Sequence, residues 1–63
     1  MMLMRVDAHE VEQGDFLLGL GLVVDRIEFA RCRWYFSNND EGLITSTSVP
    51  MSARVTVHRD KKG

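Results

Sequence analysis

Turn-forming residues recur so closely along this chain that no helix has room to grow. Gly14-Asp15, Gly19 with Gly21, residues 37–42 and Pro50 divide 63 residues into short segments. No window of about 11 residues sustains a 3.6-residue apolar stripe. Between the turns the pattern alternates with a period of two. Met2, Met4 and Val6 alternate with Leu3, Arg5 and Asp7, and Cys32, Trp34 and Phe36 with Arg31, Arg33, Tyr35 and Ser37. Successive side chains on a strand point to opposite faces, so each such segment buries one face. Short alternating runs separated by turn signals every 8–12 residues or so predict an all-β sandwich or barrel. Closure into a barrel also removes open sheet edges, which favours an antiparallel barrel.

The expected strands cover residues 2–6, 16–18, 22–29, 31–37, 43–49 and 54–58. Residues 22–29 form the longest of them, with Val23, Ile27 and Phe29 as core positions and a bend near Asp25. A tight turn is expected at Ala30-Arg31, and another within Ser37-Asn38-Asn39-Asp40-Glu41-Gly42, whose residues tolerate left-handed backbone. Pro50 cannot donate to a ladder, so a connector with one short 3₁₀ turn is placed there. Trp34, Phe36, Val55 and Val57 are expected inside, and Cys32 beside them as a small buried residue.

Val11-Glu12-Gln13-Gly14-Asp15 followed by Gly21-Leu22-Val23-Val24-Asp25-Arg26-Ile27 resembles the Val-x-x-Gly-Asp … Gly-x-Val-x-x-Ile signature of small SH3-like, KOW-type barrels. Asp40-Glu41-Gly42 and Val49-Pro50 … Val55-Thr56-Val57 are similar to short uncharacterised actinobacteriophage proteins. The resemblance spans residues 6–59 and implies a five-stranded SH3-like barrel, one domain over 1–59 with a solvated tail beginning at Arg59 and running through 60–63. It also implies a phage accessory role in a host cytoplasm. Each matched residue has a structural job, so no catalytic residue carries over. Where KOW domains that bind nucleic acid often carry basic loop residues, this chain has Phe16-Leu17-Leu18-Gly19-Leu20-Gly21-Leu22.

A domain of this length hides only about 60% of its unfolded surface and usually needs a further stabilising device. Cys32 has no partner for an internal disulfide, and His9, His58 and Cys32 lack metal-ligand spacing. Self-association is what remains. The net charge of −1 gives no chain-wide attraction for nucleic acid or anionic lipid. The longest apolar stretch, residues 16–24, falls well short of the roughly 20 residues of a membrane span. A cytoplasmic protein without cofactor, metal or membrane partner is expected, and a lone Cys suits a reducing compartment.

No mechanistic motif is present. Ser46, Ser48 and Ser52 have no nucleophile elbow around them, and Arg31 and Arg33 point away from Cys32. His9, with Glu10 and Glu12 on the opposite face, and His58 are expected in solvent. The chain reads as a non-enzyme. Residues 16–24 hold more leucines than one small barrel can cover, and exposed apolar patches mark interaction sites. Phe16, Leu17, Leu18, Leu20 and Leu22, joined by Met1, Met2 and Met4, are therefore the candidate interface, with a second copy or a host or phage protein as partner. The alternative is a nucleic-acid binder in which Arg31 and Arg33 grip phosphates and Tyr35 stacks on a base.

Overall fold

The computed structural model describes residues 2–59, and residues 60–63 of the expected tail lie outside the described residues. The chain is mostly β, as its turn spacing requires. Among the described residues seven strands follow one another: β1 (Met2–Asp7), β2 (Phe16–Leu17), β3 (Leu22–Val23), β4 (Arg26–Ala30), β5 (Arg33–Asp40), β6 (Leu43–Pro50) and β7 (Arg54–Arg59). They form two antiparallel sheets, one ordered β1-β7-β2-β3 and one ordered β4-β5-β6. Seven strands in two sheets thus stand where five in one closed barrel were expected.

The extra strands arise because the run from residue 16 to residue 29 is broken twice. Gly19 and Gly21 adopt positive φ, and the N–H groups of Leu20 and Gly21 both donate to Leu17 O (3.2 and 2.9 Å). This tight turn sets Leu17 opposite Leu22. The second break is at Asp25. Val24 N–H donates to Asp15 O (2.8 Å) and Asp25 N–H to Ser37 O (2.8 Å), so the chain crosses from one sheet to the other between adjacent residues. The bend changes the parity of the strand: Val24 points inward before it and Ile27 after it. Val23, expected in the core, is therefore exposed, and Leu22 and Val24 replace it. Phe29, also expected there, shares the parity of Ile27 but is exposed because it sits at the hairpin end of β4, outside the core cluster.

The core is a row across the first sheet capped by the second. Met4 pairs with Val57, Val57 with Leu17 and Leu17 with Leu22, and Phe36 of β5 closes over them with Val6, Val11 and Val24. Trp34 is only partly buried and lies against Phe29, ring centroids 4.8 Å apart.

Turn chemistry differs from expectation in three places. The β4–β5 hairpin turns on Arg31-Cys32, not Ala30-Arg31, and both residues have positive φ (53° and 60°). Cys32 is consequently exposed at a hairpin tip rather than buried. The β5–β6 hairpin turns only on Glu41-Gly42, so the strands run out through Asp40 and back from Leu43. At Pro50 there is a simple turn, Ala53 N–H donating to Pro50 O (3.0 Å), and the 3₁₀ turn falls instead at Ala8–Glu10, where Asp7 N–H donates to Glu10 Oε1 (2.9 Å).

Left-handed backbone at a residue with a Cβ costs about 1–2 kcal/mol, and a two-residue hairpin of this hand favours Asn-Gly. Cys32→Gly is accordingly expected to stabilise the protein by about 1 kcal/mol. Thermal melting checks this: the midpoint should rise by about 4–8 °C, and a fall would mean that the Cys32 side chain contributes packing.

Candidate functional site

Leu17 and Leu22 are 0% and 3% exposed, so the core claims them and they have nothing to offer a partner. The β2–β3 turn decides this, because it points both residues inward. What remains of the leucine-rich segment is Leu18 and Leu20, 44% and 47% exposed, and Phe16, half-buried.

The sheet register assembles these with residues from elsewhere in the chain. Leu3 lies opposite His58, His58 opposite Phe16, and Phe16 opposite Val23. This row crosses all four strands of the first sheet on the face away from the core. The Phe16 and His58 rings stand 6.5 Å apart, and His58, expected in solvent, is half-buried. Leu18 continues the face, since its N–H donates to Thr56 O (3.0 Å) in the same β2–β7 register. Leu3, Leu18, Leu20 and Val23 are all exposed. The candidate surface is therefore a sheet face rather than a sequence segment. Of the methionines proposed to join it, Met2 is exposed, Met4 packs on the core and Met1 lies outside the described residues.

Arg31, Arg33 and Tyr35 do not form the expected row. Arg31 belongs to the hairpin turn. Arg33 is half-buried, its Nε donating to Ser48 Oγ (3.2 Å) and its Nη2 to Ser48 O (3.4 Å). Tyr35 is exposed, but its cross-strand neighbours are Glu28 and Ser48. Arg26 pairs with Glu28 at 3.5 Å. An acidic residue beside the aromatic and an arginine tied to its own sheet leave little to hold a phosphate backbone.

An open groove lies between the β2–β3 turn and the β5–β6 hairpin, lined by Gly21, Leu22, Val23, Asn38, Asn39 and Thr45 among others. Its two asparagine side chains are used internally. Asn38 Nδ2 donates to Val23 O (2.9 Å), and Asn39 Oδ1 accepts Gly42 N–H (3.1 Å). Among the described residues no three His, Cys, Asp or Glu side chains are grouped to hold a metal ion, and no helix is long and apolar enough to cross a membrane.

The most organised polar cluster joins Arg59 to the loop before β2. Arg59 Nε donates to Asp15 Oδ1 (2.9 Å) and Nη2 to Asp15 Oδ2 (2.7 Å), while Nη2 also reaches Glu10 O (3.1 Å) and Nη1 lies 3.7 Å from Glu12. Asp15 Oδ2 in turn accepts Glu12 N–H (2.9 Å). Asp15 is 2% exposed and the Arg59 side chain 14%, so Arg59 is no part of a solvated tail. Burial pushes the Asp15 carboxyl up, but the Arg59 and Glu12 hydrogen bonds and the Arg59 charge outweigh it and hold the group below its ordinary value. Arg59 Nε and Nη2 and the Glu12 N–H all find acceptors within the cluster, which marks it as a structural clasp. Compared with protein-family models, with curated proteins and with solved structures, the chain matches none.

Proposed function

We propose that the protein is a non-enzymatic interaction module built on an SH3-like barrel, docking protein on the outer face of its first sheet. The barrel reading is supported by the pairing of β1 with β7 along their whole length and by the strand that bends at Asp25 to serve both sheets. The binding reading rests on one observation: the Leu3–His58–Phe16–Val23 row, extended by Leu18 and Leu20, is contiguous and apolar except for His58, with Leu3, Leu18, Leu20 and Val23 exposed. Scattered exposed leucines are ordinary, whereas a contiguous apolar face is what protein partners cover. A second copy is the first partner to test.

Light scattering across a concentration series provides that test. The wild-type mass should rise with concentration, and Leu18→Asp with Leu20→Asp should weaken association by about tenfold or more. Both side chains are exposed, so the double variant should keep the wild-type far-ultraviolet spectrum. A folded variant that associates as tightly as wild type would remove this face as a site of self-association.

A further inference from the structure

The second sheet ends in an unguarded strand. β6 reads Leu43-Ile44-Thr45-Ser46-Thr47-Ser48-Val49-Pro50, pairs with β5 on one side and, among the described residues, has no strand on the other. Proteins blunt such edges with charge, bulges or cover, because unpaired backbone groups recruit another strand. β1 carries Arg5 and Asp7, and β4 carries Arg26 and Glu28. β6 carries no charge, and its only blocking residue is Pro50 at the end. Leu43 and Ile44 are 71% and 68% exposed, the highest values among the exposed large apolar residues.

Which backbone groups face outward follows from the hairpin. A two-residue turn on Glu41-Gly42 makes Asp40 and Leu43 the closing hydrogen-bonded pair. Odd-numbered residues of β6 therefore bond to β5, and Ile44, Ser46 and Ser48 direct their N–H groups away from it. Bonds elsewhere agree. Ser37 O accepts from Asp25, which puts the odd residues of β5 towards β4, and Ser48 O and Pro50 O accept from Arg33 and Ala53 rather than from β5.

We propose that β6 pairs antiparallel with β6 of a second copy about a two-fold axis through Ser46, joining the two three-stranded sheets into one. Ile44 then lies opposite Ser48 of the second copy, Ser46 opposite Ser46, and Thr45 opposite Thr47. This register uses every outward N–H of both copies. A two-residue slip one way sets Ile44 against Pro50, which has no N–H, and a slip the other way sets Ser48 against Gly42 in the turn. Odd slips face outward donors with groups already bonded to β5. The same register lays Leu43 against Val49 of the second copy, on the inner face beside Trp34. Because β6 is uncharged, no like charges meet across the axis. This edge lies on the other sheet from Leu18 and Leu20 and does not depend on them.

A charge exchange at the axis tests the register. Ser46 is exposed, so Ser46→Glu and Ser46→Lys should both fold, as far-ultraviolet spectra would verify. With the sheet face removed by Leu18→Asp and Leu20→Asp, the protein should sediment at twice the monomer mass, each Ser46 variant in that background alone as a monomer, and an equimolar mixture of the two as a dimer. Ser46→Pro in the same background, which removes an outward N–H, should also be monomeric. A wild type that stays monomeric at high micromolar concentration would overturn the edge dimer and leave the sheet face open to a different protein. Charged variants that remain dimeric, or a mixture that stays monomeric, would equally overturn it. If association is lost only in the leucine variant, the sheet face is the contact between copies.

Discussion

Arg59→Met is expected to destabilise the protein by about 3–5 kcal/mol, the usual consequence of leaving a buried charge without its partner. A domain of this length has only about 3–9 kcal/mol in total, so the variant should be largely unfolded at neutral pH. Its response to acid should also reverse. In the wild type the Asp15 carboxyl titrates below its ordinary value of 3.8, so the clasp contributes fully above that value. The contribution is lost as pH falls through the lower folded-state pKa. Without Arg59, burial is the dominant influence on Asp15 and raises its pKa. The variant should then gain stability as pH falls through that raised value. Urea unfolding at a series of pH values between about 3 and 7 separates the two cases. Adding Asp15→Asn to Arg59→Met should restore part of the loss, since the stranded charge is gone. Parallel pH profiles for wild type and Arg59→Met would show that the clasp is not what holds Asp15 ionised.

Phe36→Ala is expected to cost about 3–5 kcal/mol, because it opens a cavity where a small core cannot collapse. Phe36 is fully buried and is the largest such side chain. Its strand neighbours are Ile27 on β4 and Thr47 on β6, and it closes over the Leu17 and Val57 row of the other sheet. It therefore joins the two sheets, which no backbone ladder spans beyond the crossing at Val24-Asp25. Chemical denaturation should show little or no cooperative native baseline. Phe36→Leu, which keeps most of the volume, should fold with a loss of about 1–3 kcal/mol. An alanine variant that melts within a few degrees of wild type would mean that the sheets are held elsewhere.

The inward parity of the two clasp residues was legible in the sequence, though their pairing was not. Arg59 stands two residues beyond Val57, and Asp15 two before Leu17, so both fall on inward-facing parity at the end of β2 and β7. Reading Arg59 as the start of a tail discarded that signal, since charge near a terminus usually means solvent. Parity carried through the bend at Asp25 misplaces Val23, because the chain there changes sheet and resets which face is inward. Phe29 shares the parity of Ile27 and is exposed for another reason: it lies beside the β4–β5 turn, beyond the end of the core cluster. Cys32 was misplaced because arginine and cysteine are poor predictors of a left-handed turn, and only the pairing of Ala30 with Arg33 puts them there.

By themselves, the residues in order determined that the chain is β, that Gly14, Gly19, Gly21 and Gly42 turn it, and that Phe36 and Val57 lie inside. These are local matters, governed by side-chain alternation and by which residues tolerate positive φ. Which leucines are exposed, what Arg59 holds and which edge stays open were decided only by the tertiary structure. Each depends on pairing between strands distant in sequence, where a shift of one residue turns every side chain to the opposite face.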